Sequence, residues 1–390
     1  MKSPYAQFLF SFTLSNWVFR TKYIICQRWY ICFFRDFGSI VGYVDTVRIG
    51  VLTGGGDCPG LNAVIRAVVR KAINDHGDTV VGFLDAWDGV LEKRTMELTV
   101  EVMRGSLPHG GTILGTRRGG PYDTPDGPLR VKQVMEELGI DALVVIGGNG
   151  SLTVASRLHD EVGINVVGVP KTIDNDIEGT DVCFGFHTAV QIATDAIDRL
   201  HTTAESHNRV LVVEVMGRDT GWIATHAGIA GGATAVLIPE RPFNIEYVAD
   251  AVRRKHARGR YASIVVVAEG AMPANGTMPT PHYETDPHGR PRLGGISVSV
   301  AQAIEQLTGF ETRVVQIGHV QRGGTPSAFD RVLCTRLGVA AVTALHEGIT
   351  DSMVAVRNDN IVRVPLKEVV GKTRYVDLSL YDDVATVFFG

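Results

Sequence analysis

Dense clusters of basic residues, a pairing set of cysteines and long uninterrupted apolar runs are all missing from this chain. Its 38 Lys and Arg stand against 42 Asp and Glu, a formal net charge of -4, and the positive charges are spread along the sequence. That excludes the concentrated basic footprint by which proteins hold nucleic acid. The five cysteines, Cys26, Cys32, Cys58, Cys183 and Cys334, are odd in number. They show no close ligand-type spacing, and the chain is too long to need disulfide staples, so reduced thiols and a cytoplasmic location are expected. Even in the first 47 residues, crowded with Phe, Tyr, Trp and Ile, the apolar stretches are broken by Lys22, Gln27, Arg28, Arg35 and Asp36. No run of about 18 apolar residues is left to cross a bilayer. The same segment lacks the basic start, apolar centre and small-residue cleavage site of a signal peptide. It reads as an appendage to the functional core, or else as an arm for a membrane surface or a partner.

What is present is glycine and order. With 390 residues, 45% of them hydrophobic, and 44 glycines, the chain can bury a large core distributed over two or three domains. From Arg48 onward, short β-branched runs alternate with helical patterns, which predicts stacked β-α units, an α/β fold and mainly parallel sheets. Strands are expected at 49–53, 80–83, 142–146, 166–169, 210–215, 235–238, 264–268 and 314–317. Helices are expected at 61–74, 188–203, 245–256, 297–306 and 331–346, where apolar residues recur at three- and four-residue spacing. Residues 273–292, rich in Pro, Gly, Asn and charge, predict a long surface loop.

Two glycine turns follow strands and lead toward helices: Gly54-Gly55-Gly56-Asp57-Cys58-Pro59-Gly60 and Gly147-Gly148-Asn149-Gly150-Ser151. Backbone N–H groups and the positive end of a helix dipole in such turns suit an anion, and glycine permits close approach. Two of them at strand carboxyl ends predict a polyphosphate cleft. Neither is a Walker loop, since no Gly-Lys-Ser/Thr follows, and neither has dinucleotide-fingerprint spacing.

The densest chemistry lies in Pro170-Lys171-Thr172-Ile173-Asp174-Asn175-Asp176, which leaves a strand at its carboxyl end. Two carboxylates separated by one residue allow a division of labour. One can accept a hydroxyl proton while the other orients a magnesium ion, with Lys171 adding positive charge beside them.

Together with Val215-Met216-Gly217-Arg218 and Gly318-His319-Val320-Gln321-Arg322-Gly323-Gly324, these runs resemble the 6-phosphofructokinase family, in the correct order and from Arg48 to the C-terminus. The lysine in PKTIDND resembles the mixed-substrate group common in actinobacteria. The resemblance implies two Rossmann-like domains with the active site in the cleft between them. Residues 48–185 plus 321–349 would bind the nucleotide, and residues 186–320 plus 350–390 the sugar phosphate. It implies transfer of a phosphoryl group to fructose 6-phosphate, with Asp174 as base toward the sugar 1-hydroxyl. Thr172 and Asp176 would orient the phosphate and Mg2+, and Arg218 would stabilise charge on the phosphoryl oxygens. Ile173, Met216, Gly217 and Glu269 would line the sugar, and Arg209, Arg313, His319 and Arg322 would hold its 6-phosphate. Arg209 and Arg313 would reach in from a neighbouring subunit, making a homotetramer or homodimer the working form. The ATP-side set would be Gly55, through a backbone donor, with Arg118, Gly148, Asn149, Gly150 and Ser151; Arg117 beside Arg118 blurs the register there.

Donor choice turns on Gly150, which leaves room for the α-phosphate of ATP where pyrophosphate users carry Asp. Lys171 points the other way, toward pyrophosphate, but members of the mixed group that the chain resembles combine this lysine with glycine and use ATP, so ATP is the expected donor. Asn149 departs from the Asp or Glu that the family presents to magnesium: it keeps an oxygen ligand and loses the charge, leaving Asp176 as the chief carboxylate for the ion. Three readings therefore stay open: an ATP-dependent kinase, a pyrophosphate-dependent enzyme, and a catalytically weakened regulatory or metabolite-binding paralogue.

Overall fold

A computed structural model describes residues 46–279, Thr285, residues 293–389 and two short strands, Ile25–Cys26 and Trp29–Tyr30. The expectations for most of residues 1–47, and for most of the loop 273–292, fall outside the described residues.

Among the described residues, two sheets organise the core. The larger has seven strands in the order Asn360–Pro365, Ser352–Arg357, Val166–Pro170, Ala142–Gly147, Arg48–Gly54, Thr79–Phe83, Thr95–Glu97. Its interior pairs are parallel, and the pairs at its two edges are antiparallel. The second sheet has four parallel strands in the order Thr312–Gln316, Val210–Val215, Ser263–Ala268, Ala235–Leu237. Both are α/β sheets built from the apolar runs the sequence displays. Ala142–Gly147, Val210–Val215 and Ser263–Ala268 are buried at every position, as strands covered on both faces must be.

Helices Leu61–Lys71 and Ala328–His346 cover one face of the large sheet, contributing Val64, Val68, Leu333 and Leu337 to a common core. Gly127–Leu138 and Asn149–Val162 supply Val131, Val134, Leu152 and Leu158 to the core on the other face. The first two helices approach so closely that a Cβ on Gly338 would lie 2.7 Å from Ala67 Cβ and 2.8 Å from the Val64 carbonyl oxygen.

One expected assignment is corrected. Residues 350–390 were expected to belong with the sugar-phosphate half, yet Ser352–Arg357 pairs with Val166–Pro170 in the large sheet and Asn360–Pro365 extends it. Only the end of the chain lies against the smaller sheet, where Tyr381 donates its hydroxyl to the Val236 carbonyl at 2.7 Å. The hairpin turns at Asn358 and Asp359, both left-handed at φ 49° and 62°, the backbone that a two-residue turn between twisted strands requires.

Register decides where the chemistry collects. Gly54 pairs with Gly147, and Gly147 with Pro170, so the two glycine turns and the Lys171–Asp176 run leave the large sheet side by side. In the small sheet Val215 pairs with Ala268 and Glu214 with Gln316. That lines up Met216–Arg218, Glu269 and the 3-10 turn Gly318–Arg322 in a second row.

Candidate active site

The two rows touch. Thr220 Oγ donates to the Asp174 carbonyl at 3.1 Å, and Arg322 donates from Nη1 to the Asp57 carbonyl at 3.1 Å, binding the small-sheet row to the first glycine turn. A Cβ on Gly56 would meet that guanidinium at 2.6 Å, so glycine is what lets Arg322 lie there. Lys171, 4% exposed, donates from Nζ to the Gly56 carbonyl at 2.5 Å, and burial draws its pKa below the usual lysine range. Arg322 and Lys171 thus cross-brace the turn from two directions.

Gly55 departs from expectation in detail. Its N–H is donated to the Arg117 carbonyl at 3.3 Å, and its carbonyl accepts from Thr116 Oγ at 2.6 Å, so the expected free backbone donor is engaged by the neighbouring loop. Arg117 and Arg118 are both exposed at its rim, and Arg117 pairs with Asp88 at 3.3 Å. In the second turn, Ser151 is buried between the strand ends, where a Cβ on Gly54 would lie 2.3 Å from its Oγ and a Cβ on Gly147 2.4 Å from its Cβ. Its first role is therefore to hold the turns at contact distance. Gly148 sits at the N-cap of helix Asn149–Val162. A Cβ built on Gly150 meets nothing within 4 Å, so packing does not demand a glycine there.

The carboxylates are drawn together beneath these turns. Asp174 is 8% exposed and its Oδ1 has no partner. Burial raises its pKa to about 7, helped by the nearby charge of Asp176 and opposed by Arg322. Asp176 is also raised, by burial first, against the pull of backbone and Thr172 hydrogen bonds. Thr172 Oγ accepts the Asp174 N–H at 3.0 Å, closing a tight local turn, while Ile173 between them is wholly buried in the core. Asn149 donates from Nδ2 to Asp176 Oδ2 at 3.1 Å, and its own Oδ1 is buried without a partner.

That donor set fits a hard divalent cation: a carboxylate on Asp176 and, in hydrogen-bond contact with it, Asn149, whose buried Oδ1 lacks a hydrogen-bond donor. Among the described residues no group of three His, Cys, Asp or Glu could hold a metal ion. A cation here would need oxygens from a bound phosphate or from water, the mode in which magnesium commonly binds.

Across the cleft, Arg218 is held in a left-handed backbone at φ 53°, its N–H donated to Glu269 Oε1 at 3.1 Å. Gly217 before it is at φ 144°. Burial raises the Glu269 pKa, with the backbone N–H groups of Arg218 and Gly217 pulling it back. The carboxylate expected at a sugar hydroxyl is thus also the clamp on the Met216-Gly217-Arg218 corner. The Arg218 side chain is 30% exposed, with Nε 3.5 Å from Asp219. Met216 is nearly buried and donates its N–H to Gln321 Oε1 at 3.3 Å. His319 is exposed at the rim.

Comparison with known proteins decides the family. Residues 48–345 match the phosphofructokinase family model. The chain belongs to the phosphofructokinase family. It is 56% identical over 344 residues to a pyrophosphate–fructose 6-phosphate 1-phosphotransferase of Streptomyces coelicolor, covering 88% of this chain and all of that one. It is 52% identical over 341 residues to ATP-dependent 6-phosphofructokinase 3 of the same organism, covering 87% and 100%. Among solved structures, Pichia pastoris phosphofructokinase in the T-state superposes with a TM-score of 0.74 at 34% identity, over 88% of this chain and 37% of that longer one.

Within this phosphofructokinase fold two of the expected residues stand apart from the rest. Arg209 immediately precedes Val210–Val215, and Arg313 is the second residue of Thr312–Gln316, so both lie at the amino end of the small sheet. Met216 follows the other end. The six residues of Val210–Val215 separate Arg209 from Met216, roughly 20 Å of rise, and the chain's own cleft is out of reach. Instead Arg209 and Arg313 converge on Glu311, at 2.8 and 2.5 Å. Sequence reasoning also passed over four residues that shape the cleft. Gln321 is fully buried and anchors Met216, Thr220 ties the two rows, and Asn175 and Arg374 govern the carboxylate turn. Asn175 carried a signal, because asparagine between two aspartates is the side chain that best tolerates a left-handed backbone after glycine, and its φ is 54°.

Proposed function

We propose that this phosphofructokinase transfers the terminal phosphoryl group of ATP to the 1-hydroxyl of fructose 6-phosphate. The observation that carries the reading is Asp174: a buried carboxylate with one oxygen unpartnered and a pKa near 7, set where the two rows meet. A base poised near neutrality takes the hydroxyl proton as the oxygen attacks phosphorus. Arg218 spreads its fork over the phosphoryl oxygens, a role that suits a group ionised at every working pH. Arg322 and His319 hold the 6-phosphate on the near side. Asp176, with Asn149 and the donor phosphates, would hold Mg2+. When bound, that ion neutralises charge on the transferring phosphates.

ATP is favoured by the open space at Gly150, where a side chain would meet no protein atom and an α-phosphate has room. The second reading, pyrophosphate as donor, is favoured by Lys171, whose buried ammonium sits on the first glycine turn, and by the 56% identity to a protein named for pyrophosphate. A coupled assay of the purified protein with fructose 6-phosphate and each donor separates them. Turnover with ATP and none with pyrophosphate supports the proposal, and the converse overturns the donor. Retained ligand binding without turnover on either donor would mark a regulatory paralogue, with Asn149 as the cause to test. Arg209 and Arg313 serve the cleft of a neighbouring copy, so the working form is an oligomer.

A further inference from the structure

Near its C-terminus the chain returns to the catalytic turn. Thr373 forms an antiparallel bridge with Ile177. Arg374 donates its backbone N–H to the Asp176 carbonyl at 2.9 Å and its Nη1 to the Asn175 carbonyl at 3.4 Å. The guanidinium carbon lies 4.2 Å from the centre of the Trp222 ring, and Trp222 Nε1 donates back to the Arg374 carbonyl at 3.0 Å. Two residues on, Val376 donates its N–H to Glu240 Oε1 at 3.0 Å, and both oxygens of Glu240 also accept the Gly221 N–H, just before Trp222. Arg374, Trp222 and the backbone of residues 373–376 form a closed set of contacts.

What that set restrains is the least comfortable peptide of the catalytic turn. Asn175 has φ 54°, a conformation that strains an L-residue and persists only where the surroundings enforce it. Within the turn, its Oδ1 accepts the Cys183 N–H at 2.8 Å. Its carbonyl, and that of Asp176, are held from outside by Arg374. Rotation of the peptide between them would swing Asp176 away from Asn149 and change the angle between the two carboxylates. Arginine suits the task because its planar face stacks on an aromatic ring while its N–H edge remains free to donate.

We propose that Arg374, braced on Trp222, is a positioning residue for phosphoryl transfer, fixing the turn at Asn175 and thereby the mutual orientation of Asp174 and Asp176. The inference rests on the reading of Asp174 as base. It touches neither reactant, so its loss lowers turnover more than affinity.

The test uses the full-length chain at 20 °C. Arg374→Leu keeps the backbone N–H but removes the guanidinium, and is expected to lower kcat by about 10- to 100-fold, the scale of an ångström-sized misplacement, with KM for donor and sugar phosphate little changed. Arg374→Lys and Trp222→Phe lose less. Millimolar methylguanidinium added to Arg374→Ala restores part of kcat, which a generally loosened fold would not show. A lowered Tm with kcat intact at 20 °C, or no rescue in a folded Arg374→Ala, overturns the proposal. Asp174→Asn is measured beside these: if it loses activity while Arg374→Leu does not, only the positioning role falls; if it keeps full activity, the base assignment falls and this inference with it.

Discussion

At the scale of single residues, the turn Asp174-Asn175-Asp176 sets stability against the reactivity proposed for it. Asp174 has a pKa of about 7 because it is buried beside another carboxylate, and the same burial disfavours its charged form. With the folded-state pKa above the unfolded one, the folded protein binds the proton more tightly between about pH 4 and pH 7. Stability therefore falls as pH rises through that window, and the full penalty is present above pH 7. Asp174→Asn removes the charge. It should stabilise the ligand-free protein at pH 8 by an amount on the order of a few kcal/mol, seen as a higher Tm, leave the Tm little changed at pH 4, and lower kcat by about 10²–10⁴-fold. In the unsubstituted protein, kcat/KM, which reports the free enzyme, should fall below about pH 7 as Asp174 is protonated. A flat profile from pH 6 to 8 would remove Asp174 from that role. Asn149→Asp works in the opposite sense, placing a third carboxylate beside Asp174 and Asp176. It should tighten the magnesium requirement or raise turnover, read from kcat across a magnesium titration, and identical curves for both proteins would take Asn149 out of the mechanism.

At the scale of elements, the glycines divide into those that packing requires and those that leave space for something else. Gly338 belongs to the first kind: a Cβ would enter the contact between helices Leu61–Lys71 and Ala328–His346. Gly338→Val should cost about 1–3 kcal/mol through overpacking, seen as a lower urea midpoint. Gly150 belongs to the second, and Gly150→Ala should leave that midpoint unchanged or slightly higher, since alanine favours a helix over glycine. If both substitutions were equally tolerated, the close helix contact would not exist as described. The same contrast explains which elements were legible in the sequence. Fully buried parallel strands such as Ala142–Gly147 appear as unbroken apolar runs ending in glycine, and the expected strands match within a residue or two. The half-exposed edge strand Asn360–Pro365 carries a broken pattern, and it is absent from the expected strands. Helix Trp222–Ala230 is buried along most of its surface, so no polar face announced a helical period. The motifs at the cleft were legible because each sits at a strand end. The braces from Thr220, Gln321 and Arg374 were not, because they join residues 46, 105 and up to 199 positions apart, and nothing local to any of them signals its partner.

At the scale of the whole molecule, the open question is how the cationic pair Arg209 and Arg313 acts when its own cleft lies at the far end of the strands. Within the chain both guanidiniums meet the single carboxylate of Glu311, whose pKa they hold below the ordinary range. One carboxylate leaves a net positive patch, as a phosphate shared with a second copy would require. The consequence can be tested by complementation. Asp174→Asn and Arg209→Ala should each be nearly inactive alone, the first for lack of a base and the second through a raised KM for fructose 6-phosphate. Co-expressed in equal amounts, half of the reciprocal pairs are mixed. In each mixed pair one cleft joins an intact Asp174 to an intact Arg209 from the other copy, so about a quarter of wild-type activity should return. Activity no greater than the sum of the two separate variants, from mixed oligomers shown to form, would place Arg209 outside the site and leave a single chain with a complete cleft of its own.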